Sequence, residues 1–292
     1  MTISFVQVDA FTSEAFTGNP AAVCFLPGER EASWMQKVAL EMNLAETAFL
    51  RPLEGEGGRR EFELRWFTPT VEIDLCGHAT LASAHALWES GRLAAGEIAR
   101  FHTRSGLLTA APDTDGAEGS SVDGKSGGGT VDGNGGGGWI QLDFPLTPNE
   151  PVPAPEGLVD ALGVGTPLYV GRSKFDYVVQ VESEAALRGV APDLRRLSAI
   201  EARGVIVTSK AANGDYDFVS RFFAPRAGID EDPVTGSAHC TLADFWRRQL
   251  GKTRFLARQI SPRGGVLRVT LKGDRVLLGG QAVTVLRGEL LA

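Results

Sequence analysis

Arg65-Trp66-Phe67-Thr68-Pro69 in the first half of the chain and Arg221-Phe222-Phe223-Ala224-Pro225 in the second repeat one pattern at an offset of 156 residues. Each block reads as a strand and stops at a proline, which cannot donate to a β-ladder. Each then crosses an acidic loop, holding Glu72 and Asp74 in one half and Asp230, Glu231 and Asp232 in the other. Both loops end at a glycine that opens an apolar helical run. The first is Gly77-His78-Ala79-Thr80-Leu81 and the second Gly236-Ser237-Ala238-His239-Cys240, and both runs reach a tryptophan, Trp88 and Trp246. The proline-to-glycine spacing is eight in the first copy and eleven in the second.

A period this long excludes a solenoid, whose units span roughly 20–50 residues. It predicts a duplicated α+β protein of two pseudo-symmetric lobes, each holding one helix inside a β-sheet. Two related lobes are expected to meet at a cleft, a preferred place for a small-molecule site. A helix start presents free backbone N–H groups and about half a positive charge, so it suits carboxylate or phosphate. The expectation is an anionic small-molecule site lined by Gly77, His78, Gly236 and Ser237.

Outward from the repeat, residues 3–9 and 21–26 read as strands separated by a Gly18-Asn19-Pro20 turn. Ser33 is the expected cap of a helix running to Met42, with Trp34, Val38 and Met42 on one face. Further strands are expected at 47–50, 61–67, 106–111, 139–143, 177–181, 204–208, 218–223, 266–269, 276–278 and 282–286. Helices are expected at 77–90, ended by Gly91, and at Gly236–Leu250. The expected division is an N-terminal lobe at 1–112, rejoined by 281–292, and a C-terminal lobe at 139–280.

Residues 113–138 stand apart. They hold 11 of the 36 glycines and five acids against one base, and their only apolar residues beyond Ala117 are Val122 and Val131. Such a segment buries too little to offset its ordering entropy, and reads as a disordered surface insertion. Without it the formal charge of −7 becomes 31 acids against 28 bases, or −3. A nearly neutral remainder argues against a nucleic-acid binder or a polybasic membrane-surface protein. No apolar run reaches the ~20 residues of a membrane helix, and the first residues lack the pattern of a signal peptide. Three cysteines with no CxxC suggest a reducing, cytoplasmic setting with neither a disulfide framework nor a zinc knuckle.

Four segments together resemble the PhzF-like isomerase family of phenazine biosynthesis: VDAFT…FTGNPAAV at 8–23, NLAETAF at 43–49, FTP…DLCGHATLA at 67–82 and IDEDPVTGSAH at 229–239. The resemblance runs from Asp9 to the C-terminus apart from the Gly-rich insertion. It implies a diaminopimelate epimerase-like fold, two lobes each with a barrel-like sheet around a central helix. It also implies an isomerase that moves a proton on a small carboxylate without cofactor or metal, typically as a homodimer. Glu46 resembles the family's acid/base glutamate. Gly77-His78 and Asp232…Gly236-Ser237 are similar to its substrate-binding elements, with Asp232 contacting a polar substituent and supporting proton transfer.

Residue chemistry adds to this. Glu46 lies in a weakly polar stretch where one carboxylate can remove and return a proton on one face of a substrate. At a helix start the dipole opposes a cation, so His78 is expected to have a lowered pKa and to act as a neutral partner. His85 reads as structural. In fold-related epimerases two cysteines face each other. Here the residue before Gly77 is Cys76 but the one before Gly236 is Thr235, so Cys76 reads as a small packing residue. A cysteine-assisted racemase or epimerase and a non-catalytic small-anion binder are the alternatives.

Overall fold

A computed structural model describes residues 2–55, 57, 60–113 and 138–291. Apart from its two end residues, the expected insertion at 113–138 lies outside the described residues. The chain divides into two units, Met1–Asp143 with Gly279–Ala292, and Phe144–Leu278. The first boundary falls after Asp143 because the strand that opens at Ile140 pairs with residues before the insertion.

The first unit contains β1 (Thr2–Ala10), β2 (Asn19–Phe25), α1 (Ala32–Met42), β3 (Glu46–Glu54), β4 (Arg60–Phe67), β5 (Glu72–Ile73), α2 (Gly77–Glu89), β6 (Ala99–Thr103), β7 (Gly106–Pro112) and most of β8 (Ile140–Pro145). The second contains β9 (Asn149–Pro151), α3 (Leu158–Leu162), β10 (Tyr169–Ser173), β11 (Asp176–Gln180), α4 (Glu184–Arg188), α5 (Leu194–Leu197), β12 (Gly204–Lys210), β13 (Phe218–Ala224), β14 (Ile229–Asp232), α6 (Gly236–Leu250), β15 (Arg254–Gln259), β16 (Gly265–Lys272) and most of β17 (Arg275–Gly280). The last strand, β18 (Ala282–Leu291), pairs antiparallel with β1 in the first unit.

The duplication reaches beyond the motifs that announce it. In the first unit β1–β2 is antiparallel, β2–β3 parallel, β3–β4 antiparallel, β4–β6 parallel and β6–β7 antiparallel, with short β5 on β4. In the second unit β10–β11, β11–β12, β12–β13, β13–β15 and β15–β16 follow the same alternation, with short β14 on β13. In the longer loop of the second copy the chain leaves the repeat through a 3-10 turn, Pro225–Ala227, closed by Gly228 at φ 82°.

The sheet of the first unit curls around α2, which packs against β1, β2, β3, β7 and β18. That helix is buried on nearly every side, as a helix without a polar face must be. Its alanines (Ala79, Ala82, Ala84, Ala86) let strands approach closely. Gly280 makes the same allowance from the other side, since a Cβ there would lie 2.7 Å from Leu81 and 2.4 Å from Phe11. In the second unit α6 packs on β9 and β16. Its Trp246 stacks on Phe218 and donates to Thr208 Oγ1 at 3.1 Å. Exposed Arg247 and Arg248 in the last turn complement the helix dipole.

One local expectation is corrected and one refined. Glu31, not Ser33, occupies the N-cap of α1, with no side-chain bond; Ser33 lies within the helix. The face of α1 packed on Ile3, Cys24, Phe49 and Phe67 is centred on buried Met35 and Ala39, with the expected Trp34 and Val38 half-buried beside them.

Candidate active site

Three local features bring the first cluster together. Gly18, at φ 67°, closes the β1–β2 turn where any Cβ would sit 2.3 Å from the Ala10 carbonyl oxygen, so only glycine fits without strain. The next residue, Asn19, opens β2. Asn43, also left-handed at φ 50°, ends α1 and donates its N–H to Ala39 O. The chain thereby enters β3 at Glu46, opposite Ala21 of its parallel neighbour. Parallel strands start at the same end of a sheet, so Asn19 and Glu46 emerge together. The start of α2 delivers Cys76, its N-cap, and His78.

The resulting contacts are short. His78 Nε2 lies 3.1 Å from Glu46 Oε2. His78 Nδ1 lies 3.1 Å from Asn19 Nδ2 and 3.5 Å from Cys76 Sγ. Glu46, Cys76 and His78 are 7%, 6% and 5% exposed. The Glu46–His78 approach is an ion-pair distance without hydrogen-bond alignment, so Oε2 and Nε2 keep no hydrogen-bond partner. Turning the Asn19 amide would present Oδ1 instead of Nδ2, so this contact can serve neutral or protonated imidazole.

The expectation of a lowered His78 pKa is overturned. Burial does work against the imidazolium, but Cys76 and Glu46 beside the ring outweigh it and hold the pKa well above the usual value. Burial, and then Glu46, also push the Cys76 thiol up. Of the two neighbours that hold the proton on His78, Cys76 acts more strongly and Glu46 second. The helix dipole is the weaker field because the carboxylate touches the ring. The buried Cys76 sulfur is a direct neighbour of the His78 ring.

In the second unit Asp232, 7% exposed, accepts from Thr235 Oγ1 at 2.5 Å. Buried Gln259 ties this turn together: its Nε2 donates to Asp232 O (2.6 Å) and Thr235 Oγ1 (3.2 Å), and its Oε1 accepts from Thr235 N (2.9 Å). Thr235 is the N-cap of α6; Gly236 is buried and Ser237 half-buried. His239 Nδ1 donates to Thr235 O at 2.8 Å, and Nε2 is 3.5 Å from Ser220 Oγ. Burial pushes its pKa down to about 4, against the hydrogen bond to Thr235.

The structure thus joins Glu46, Gly77 and His78 in one unit, and Asp232, Gly236 and Ser237 in the other. Asn19, Cys76 and Gln259 were not singled out by sequence as site residues. Asn19 carried a turn signal and a place in the FTGNPAAV segment but no role, and nothing in Arg254–Gln259 marks Gln259 as more than an inward strand position. His85 contacts Thr284 Oγ1 at 3.2 Å and Glu89 at 3.9 Å, away from Glu46 and His78. A cavity of about 460 Å³ lined by Phe25, Leu50, Phe62, Arg60 and Arg92 contains none of the candidate residues. Among the described residues no helix is long and apolar enough to cross a membrane.

A profile of the phenazine biosynthesis-like protein family matches residues 8–288. An uncharacterized isomerase of Halalkalibacterium halodurans is 50% identical over 292 residues, covering all of this chain and 99% of that protein. The crystal structure of a PhzF-family phenazine biosynthesis protein of Enterococcus faecalis superposes with a TM-score of 0.85 at 36% identity, covering both chains fully. A hydroxyproline epimerase from Agrobacterium vitis shares the fold alone, with a TM-score of 0.62 at 13% identity over 99% of this chain and 92% of that one. Sequence motifs, paired strand order and these matches agree: the chain belongs to the PhzF-like family of phenazine biosynthesis-like proteins.

Proposed function

We propose that this isomerase moves a proton on a small carboxylate substrate by general acid/base catalysis at Glu46, without a cofactor. The observation that carries the reading is the buried Glu46 carboxylate held 3.1 Å from His78 Nε2 and left without an aligned hydrogen bond. A carboxylate so placed is free to take a proton from a carbon next to an activating group. It can then return the proton to a second carbon on the same face. His78 balances the charge of Glu46 before abstraction and again after delivery. Gly77 at the start of α2, and Gly236 with Ser237 at the start of α6, supply N–H and hydroxyl donors for the substrate's anionic group. Asp232 orients a polar substituent. The expected assembly is a homodimer in the cytoplasm.

A cysteine-assisted epimerase is the second reading, favoured by the 3.5 Å contact between Cys76 Sγ and His78 Nδ1. Its weakness is Thr235, a hydroxyl where a second thiol is needed.

The test is solvent exchange. Wild-type protein, Glu46→Gln and Cys76→Ser are incubated in D₂O with a panel of small carboxylates bearing acidic C–H groups, and deuterium uptake is read by mass spectrometry. Glu46→Gln should slow exchange by about 10²–10⁴-fold, with Cys76→Ser close to wild type. Full exchange by Glu46→Gln removes Glu46 as the base. Loss confined to Cys76→Ser would favour the second reading.

A further inference from the structure

We propose that Glu46, Cys76 and His78 form a binding site for one zinc-type divalent cation, and that its occupancy switches the enzyme off. One donor atom from each residue lies within 4.8 Å of the other two. A tetrahedral zinc with bonds of ~2.0–2.3 Å needs donors roughly 3.3–3.8 Å apart. His78 Nδ1 and Cys76 Sγ already stand 3.5 Å apart. Glu46 is the third donor of the set, and its carboxylate would have to move toward the cation to complete it.

Two further observations point to a cation. Glu46 Oε2 is buried without a hydrogen-bond partner, 3.1 Å from His78 Nε2, and a cation on the Nδ1 side of the ring would give that carboxylate a ligand bond. Among the described residues this is also the one such set of three donors. The corresponding place in the second unit has Thr235 for the thiol, and His239 Nδ1 is bonded to Thr235 O.

The donor set selects the metal. Thiolate and imidazole suit zinc and its soft neighbours, whereas magnesium and calcium need several oxygen ligands, of which this cluster supplies a single carboxylate. On binding, the Zn–S bond replaces the S–H bond and the thiol proton goes to solvent, with no change of oxidation state. Imidazole binds as the neutral base, so any extra proton on His78 also leaves. Three protein ligands leave a fourth position for water or a substrate carboxylate. A cation seated here takes up the lone pair with which Glu46 would accept a proton. The switching clause rests on Glu46 being the base; the binding clause does not.

The experiment uses the full chain, stripped with a chelator and titrated with zinc against a chromophoric competitor. One zinc per chain is expected. Cys76→Ser and Glu46→Gln should each weaken binding by at least the ~10–100-fold that even an outer-shell partner is worth. His239→Gln should bind as wild type, and magnesium should not compete. Circular dichroism melts show that the variants are folded. Absence of stoichiometric binding, or binding indifferent to both ligand variants, overturns the site. Deuterium exchange should stop with bound zinc and return on adding chelator. If zinc binds through the three residues and exchange continues, the site stands and Glu46 is not the base. If zinc does not bind while Glu46→Gln abolishes exchange, the base stands and the site fails.

Discussion

His78 and His239 are both buried in the first turn of equivalent helices, yet their protons are held in opposite ways. His78 faces Glu46 at 3.1 Å, and its pKa is raised well above the usual value despite burial. His239 faces a carbonyl and a hydroxyl, and burial takes its pKa down to about 4. The frame is duplicated down to the alternation of parallel and antiparallel pairs, but the chemistry is not. A neighbouring thiol and carboxylate turn a buried histidine from a neutral structural group into one that holds its proton. The lesson is that a helix N-terminus fixes where a side chain sits, and the residue across from it fixes its charge.

Removing each ring in turn is the harshest test of that contrast. His78→Gln should slow deuterium exchange by about 10²–10³-fold, the usual cost of losing one charge-stabilising group in a dry site. His239→Gln should leave the rate close to wild type. Equal losses in the two variants would mean that the second helix start takes part in proton transfer as fully as the first.

Much of this was legible before the structure and some could not have been. The repeat exposed both helix starts because glycine followed by polar residues at a helix N-terminus is a local signal. The bounds of α6 are those the sequence implies. Strand β15 was missed because Arg254 and Arg258 hide an alternation that the burial of Phe255, Ala257 and Gln259 makes plain. Asn19 and Gln259 act on groups 59 and 24–27 residues away, and no local pattern encodes such a contact. The sign of the His78 shift was misjudged for a related reason. The dipole is visible in the sequence of the helix, whereas Glu46 reaches the ring only through the pairing of β2 with β3.

Acid stability separates the two histidines next. His239 is neutral in the folded protein with a pKa of about 4, against about 6.5 when unfolded. The unfolded chain therefore takes up a proton first as pH falls. Stability from this group is complete above pH ~6.5 and is withdrawn on the way down to pH 4. The loss is about 2 kcal/mol by pH 5 and about 3 kcal/mol by pH 4. His78 has the opposite sign, contributing at low pH and losing its contribution as pH rises through its raised value. Urea unfolding from pH 7 to pH 4 should show the acid-side loss in wild type and a flatter profile in His239→Gln. Identical profiles would show that His239 is already charged in the fold.

The smallest expected difference lies in the repeat's own arginines. Arg65 grips Glu72 through Nε and Nη2 at 2.7 and 2.8 Å, and Arg221 grips Glu231 at the same two distances. The forks match, but their surroundings do not. Arg104 also reaches Glu72, at 3.1 Å, so that carboxylate keeps a cation when Arg65 is removed. Arg221 Nη1 additionally donates to Val190 O at 2.6 Å and Leu187 O at 3.4 Å, binding the end of α4 and the residues after it to β13. Removing it deprives Glu231 of this cation and two carbonyls of this donor together. Arg221→Ala should therefore cost about 1–2 kcal/mol more than Arg65→Ala, roughly one or two net hydrogen bonds. A chain of two units need not unfold in one step, so the reading is local: amide hydrogen exchange in β13 for one variant and in β4 for the other. Equal loosening of the two strands would mean that the pair of forks, and not their unequal support, sets the stability of each acidic loop.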